Sequence, residues 1–147
     1  MTTIHFNTNH SDDLNDICAS LLPHLYAPMI IGLSGDMGTG KTTFVRAMCD
    51  ALQSPDWVNS PTYAIMQHYT SKSFDILHID LYRLNHDIEI DQLDIESLIT
   101  NNTIAFIEWI DKTNLIVPDV QIHFSMTGDT KRDVSITSKD AWVQSIK

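Results

Sequence analysis

Gly35-Asp36-Met37-Gly38-Thr39-Gly40-Lys41-Thr42 fills every fixed position of the pattern GxxxxGK[ST]. Residues 29–33 just before it form a short apolar run suited to a buried strand. From about residue 41 to 52, Phe44, Met48, Ala51 and Leu52 recur at helical spacing, which predicts a helix with one inner face. A strand, a glycine-rich turn and a helix in that order make the context in which such a loop cradles phosphate.

The chemistry accounts for the residue types. Glycine takes positive φ and lets the backbone wrap closely. The loop N–H groups then converge into a nest for anions, and the following helix adds the positive end of its dipole. Lys41 is placed to reach β- and γ-phosphates, Thr42 to offer its hydroxyl to Mg²⁺, and Thr43 to meet an α-phosphate. Gly32, Gly35, Gly38 and Gly40 are four of only five glycines in the chain, so glycine is concentrated where this loop needs it.

Outward from the loop, the pattern alternates helix and strand and then turns to hairpins. Residues 3–6 are β-prone. Ser11-Asp12-Asp13 reads as a helix start, with acids favoured at that end. Leu14, Ile17, Cys18, Leu21 and Leu22 mark one helix face, which Pro23 or Pro28 closes. Residues 64–70 and 74–80 form a predicted hairpin about Ser71-Lys72-Ser73. Residues 87–99 read as one or two short helices, and 104–107 as a buried strand. Residues 120–126 and 132–137 form a second predicted hairpin about Gly128-Asp129, with a short C-terminal helix carrying Trp142. The expected fold is α/β: one domain over residues 1–147, three-layered and P-loop NTPase-like, with a central mixed sheet.

A P-loop needs a carboxylate to hold Mg²⁺ or orient water, set at the end of a buried strand. Asp80 ends Ile76-Leu77-His78-Ile79-Asp80, and Glu108 ends Ile104-Ala105-Phe106-Ile107-Glu108. The residues alone do not choose between them. Trp109, next to Glu108, fits core packing and nucleotide stacking equally. Ser60-Pro61-Thr62-Tyr63 stands where switch proteins keep a hydroxyl that senses the γ-phosphate, and also reads as a plain proline turn. The seven histidines, His5, His10, His24, His68, His78, His86 and His123, show no metal spacing and read as surface or packing residues.

The net charge is −10, and no Lys or Arg precedes Lys41. An acidic body repels nucleic-acid phosphates, so direct gripping of DNA or RNA is not expected. Cys18 and Cys49 lie far apart, without CxxC or zinc spacing, and read as buried thiols of a reducing compartment. The first residues lack a basic n-region, and no apolar run approaches the roughly 18 residues that span a bilayer. A cytoplasmic protein without membrane partners is expected.

Together these blocks resemble the TsaE (YjeE) family of bacterial P-loop ATPases. The resemblance rests on 35–46, on Val58-Asn59-Ser60-Pro61-Thr62-Tyr63, on His78-Ile79-Asp80-Leu81-Tyr82-Arg83-Leu84 and on Ile107-Glu108-Trp109, and runs from about residue 11 to 137. It implies ATP as ligand and ADP as product, with phosphates bound by Gly35, Asp36, Met37, Gly38, Thr39, Gly40, Lys41, Thr42 and Thr43. It further implies Mg²⁺ on Thr42 and Glu108, Asp80 acting in hydrolysis with Lys41, Thr62 in a switch loop and Trp109 near the nucleotide. Ser11 and Arg132 are implied nucleotide contacts. The implied partners are TsaD and TsaB, in formation of threonylcarbamoyladenosine at tRNA A37, with tRNA met only through that complex. Met37, Thr39 and Ala47 depart from the commonest family residues without removing a ligand. The rival readings are a small-molecule kinase and a nucleotide-loaded switch with little turnover. Arginine occurs only at 46, 83 and 132, so no arginine-bearing lid stands out, and no NKxD guanine motif is present.

Overall fold

The computed structural model describes residues 1–61 and 64–146. Its apolar runs become strands β1 (Thr2–Thr8), β2 (Met29–Ser34), β3 (Met66–Thr70), β4 (Asp75–Asp80), β5 (Thr103–Glu108), β6 (Val120–Met126) and β7 (Arg132–Ser138). All belong to one sheet of order β1-β7-β6-β2-β5-β4-β3. The inner strands β6, β2, β5 and β4 run parallel. Antiparallel pairs extend both sides, β7 and β1 beyond β6, and β3 beyond β4. The mixed sheet and both hairpins follow the expectation from sequence.

Because β2, β5 and β4 are covered on both faces, their side chains divide into two apolar layers. Ile31, Leu33, Ile104 and Phe106 pack with helices α1 (Leu14–Leu21) and α2 (Lys41–Ala51). Leu77, Ile79, Ala105 and Ile107 pack on the other face with Ile90 of α3 (Asp87–Gln92) and Ile95 of α4 (Ile95–Leu98). The face of α2 is wider than its spacing suggested. Val45 and Cys49 are buried beside Phe44 and Met48, since α2 packs on both the sheet and α1. Phe44 meets Phe106 and Phe124 edge-on at 6.4 and 5.8 Å. The C-terminal segment is a 3-10 turn, Ala141–Ser145, rather than a regular helix, and Trp142 stacks on His24 at 4.9 Å.

Gly32 is fixed by packing, unlike the loop glycines. A Cβ there would lie 2.8 Å from Cγ1 of Ile110, which begins the 3-10 turn Ile110–Lys112. The missing side chain lets that turn sit directly on β2, and Trp109 immediately precedes it. Gly32→Ala is expected to destabilise the fold by about 1–3 kcal/mol through overpacking. Urea unfolding of Gly32→Ala, Ile110→Ala and the double variant checks this: the double should lose less than the sum of the singles, and strict additivity would refute the contact.

Candidate functional site

β2 ends at Ser34, and the chain turns through Gly35, Gly38 and Gly40 at φ of 134°, 78° and 115°. Glycine alone takes such angles without strain. At Gly35 space also forbids a side chain, because a Cβ would lie 2.4 Å from the Phe124 carbonyl oxygen. The Gly40 carbonyl then accepts the Phe44 N–H at 2.8 Å and starts α2. Lys41, only 5% exposed, donates from Nζ to the carbonyls of Gly35 (2.5 Å) and Asp36 (2.8 Å). Its Nζ also stands 4.2 Å from the centre of the Trp109 ring. Burial pulls the Lys41 pKa below the ordinary lysine value, and the carboxylates of Glu108, Asp80, Asp111 and Asp36 oppose that pull.

Strand register sets the acids. Asp80 and Glu108 are direct neighbours at the ends of β4 and β5, and Glu108 is also in register with Leu33 of β2, two residues before the loop. Both acids are buried, and one row of the sheet carries both to the side that faces α2. The Thr42 hydroxyl lies 2.9 Å from each Glu108 oxygen. Asp80 accepts the Tyr82 N–H at 2.9 Å through Oδ1. Trp109 adopts a left-handed backbone (φ 61°), and its ring stands 5.0 Å from that of Tyr82.

Two cavities flank the loop and share Gly38, Gly40 and Thr43 in their walls. One, of about 390 Å³, is lined by Met37, Lys41, Thr42, Ser60, Asp80, Tyr82, Glu108 and Trp109. The other, of about 420 Å³, is lined by Thr8, Ser11, Thr39 and Arg132 among others. Each falls within the roughly 300–1,000 Å³ of small-molecule sites. Arg132 braces the loop from outside: its guanidinium donates to the carbonyls of Thr39 (3.1 Å) and Gly38 (3.5 Å). The Thr39 hydroxyl closes the turn on the Asp36 carbonyl at 2.6 Å. The side chains of Asp36 and Met37 are exposed, which leaves their backbone as the part built into the loop. Thr62 lies outside the described residues.

One site residue escaped the sequence reading. His78 is fully buried, and its Nε2 lies 2.6 Å from Oε2 of Glu108. The available signal was its position two residues before Asp80 in a β-strand, which puts both on one face. Among the described residues no three His, Cys, Asp or Glu side chains cluster as a metal cage. A hydroxyl and a carboxylate side by side, as Thr42 and Glu108 are, suit Mg²⁺, which takes few protein oxygens and completes its shell with water and phosphate.

Parallel inner strands, a phosphate loop between β2 and α2, and acids at adjoining strand ends define a P-loop NTPase-like domain. The sequence model of the family "Threonylcarbamoyl adenosine biosynthesis protein TsaE" matches residues 8–135. The chain belongs to the TsaE family, in tRNA threonylcarbamoyladenosine biosynthesis. It is 32% identical to the tRNA threonylcarbamoyladenosine biosynthesis protein TsaE of Rickettsia felis over 136 residues, 90% of this chain and 79% of that protein. It is 34% identical to the Haemophilus influenzae protein of the same name over 99 residues, 67% of this chain and 63% of that one, somewhat under two thirds of the relative. The crystal structure of Bacillus subtilis YdiB shares the fold with a TM-score of 0.80 at 20% identity, covering 99% of this chain and 91% of that one. No helix among the described residues is long and apolar enough to cross a membrane.

The lowered Lys41 pKa gives a pH dependence with a definite sign. The ammonium form attracts phosphate, burial favours its loss in the free protein, and a bound polyphosphate favours its return. Binding therefore takes up a proton on the alkaline side. ADP affinity, measured by calorimetry without metal, is expected to fall with rising pH before an ordinary lysine titrates at about 10.4. Lys41→Arg should stay flat over the same range. Parallel slopes for the two proteins would refute the assignment.

Proposed function

We propose that the chain is the Mg²⁺-dependent ATPase subunit of the bacterial, cytoplasmic machinery that makes threonylcarbamoyladenosine at tRNA A37, working with TsaD and TsaB. The supporting observation is the phosphate loop beside two buried carboxylates at the ends of adjacent parallel strands, with Thr42 bonded to one of them. Family membership carries that geometry toward tRNA modification.

In this reading the loop N–H groups and the ammonium of Lys41 hold the ATP phosphates. Thr42 and Glu108 would hold Mg²⁺, which would supply neutralisation of the phosphate charge. Asp80, fixed by the Tyr82 N–H, orients the attacking water. Trp109 gives an aromatic wall, and Ser11 and Arg132 frame the second cavity for the nucleoside end. Thr62 serves in the switch loop. With a net charge of −10, the chain is suited to leave tRNA to its partners.

The test is Mg-ATP hydrolysis by the purified protein, alone and with TsaB and TsaD. Turnover is expected to rise with the partners, and Lys41→Ala and Glu108→Ala are each expected to cost about 10²–10³-fold, the usual loss of a preorganised charge at the reacting centre. Firm ATP binding without turnover in any mixture would instead make the chain a nucleotide-loaded switch. Phosphate appearing on a small metabolite would make it a kinase.

A further inference from the structure

We propose that His78 is a positioning residue for Glu108 and that, with Tyr69, it ties this carboxylate to the loop ahead of β3. The inference rests on the metal role given to Glu108 above. His78 is fully buried, while Glu108 and Tyr69 are 3% and 5% exposed. A carboxylate only accepts, so the ring nitrogen facing it at 2.6 Å, Nε2, carries the proton. Among the described residues, Thr42 and His78 donate to the Glu108 carboxylate. The proposed function gives Thr42 a second task on the metal, which leaves His78 as the donor that holds the carboxylate.

Such outer partners fix the rotamer and the charge of a metal-binding carboxylate. Glutamate has three side-chain torsions, and at the end of β5 nothing in the backbone selects the one that faces Thr42. The ring of His78, held within β4 next to β5, removes that freedom. Its other nitrogen, Nδ1, lies 3.3 Å from the Tyr69 hydroxyl. That hydroxyl also reaches the Asn59 carbonyl at 3.2 Å and Oε1 of Gln67 at 2.5 Å. Asn59 precedes Ser60, which lines the same cavity as Glu108. A series of polar contacts thus runs from Asn59 through Tyr69 and His78 to Glu108 and Thr42, with the single Tyr69 hydroxyl proton serving one of its three acceptors at a time.

The test separates metal binding from nucleotide binding. Mn²⁺ binding to the protein–ADP complex is followed by electron paramagnetic resonance, and ADP affinity in EDTA by calorimetry. His78→Leu is expected to weaken Mn²⁺ by about 10-fold or more, the usual effect of losing an outer partner, while ADP affinity in EDTA holds within about twofold. His78→Gln, whose amide reaches the same carboxylate oxygen, should restore most of the Mn²⁺ affinity; His78→Asn, too short to reach, should not. The Gln–Asn comparison stands if His78→Leu fails to fold. Tyr69→Phe should weaken Mn²⁺ less than His78→Leu does. Equal Mn²⁺ binding by wild type, His78→Leu and His78→Asn overturns the inference while leaving the metal role of Glu108 intact. Equal loss of ADP with and without metal overturns it in favour of packing. A wild-type ADP complex that binds no Mn²⁺ overturns the metal role and this inference together.

Discussion

A buried carboxylate at the end of β5 is the constraint around which this structure is organised. Glu108 is 3% exposed, and a buried charge without partners costs several kcal/mol. Among the described residues its partners are Thr42 from the first turn of α2 and His78 from β4. The carboxylate therefore fixes where α2 begins relative to β5, and so where the phosphate loop lies above the sheet. The parallel register of β2, β5 and β4 is the scaffold that makes those approaches coincide. A slip of one residue in β4 would turn both His78 and Asp80 to the opposite face, away from α2.

The second layer of support is steric. Gly32 opens β2 to the turn at Ile110, and that turn follows a left-handed Trp109. Trp109 is thereby held over Lys41, with Tyr82 beside it and Lys112 donating to the Tyr82 carbonyl at 2.6 Å. On the other side of the loop Arg132 bonds backbone carbonyls rather than a carboxylate. The loop is thus contacted from β7 as well as from the end of β5.

The legible part of this fold was local. GxxxxGK[ST], the apolar run before it and the helical spacing after it are properties of consecutive residues, and the structure places them as read. The two hairpins were legible for the same reason, since turn residues stand between two β-prone runs. What escaped depends on register between distant strands. Nothing in His78 itself separates a buried positioning histidine from His68, which is exposed on the neighbouring β3. The difference arises because His78 and Glu108 approach each other across β4 and β5. Val45 was missed, and Cys49, though read as a buried thiol, was not placed on the inner face, because α2 buries itself against both α1 and the sheet, widening a face that spacing alone drew narrow. Pairing of β1 with β7 was likewise invisible, for it joins the two ends of the chain.

Charge brings these pieces to one conclusion. Lys41 is a single ammonium within the electrostatic reach of Glu108, Asp80, Asp111 and Asp36. The loop N–H groups and the helix dipole offset part of that negative field, but they are partial charges. A polyphosphate entering the cleft would add several more negative charges in a poorly screened space, where like charges repel strongly. In the proposed function a divalent cation entering with the polyphosphate would restore the balance. Thr42 and Glu108 offer hard oxygens for one beside the loop, and the same acids that discourage a bare polyphosphate then favour its metal complex. Under the proposed function, the acidity of this site would select the metal complex over the bare nucleotide.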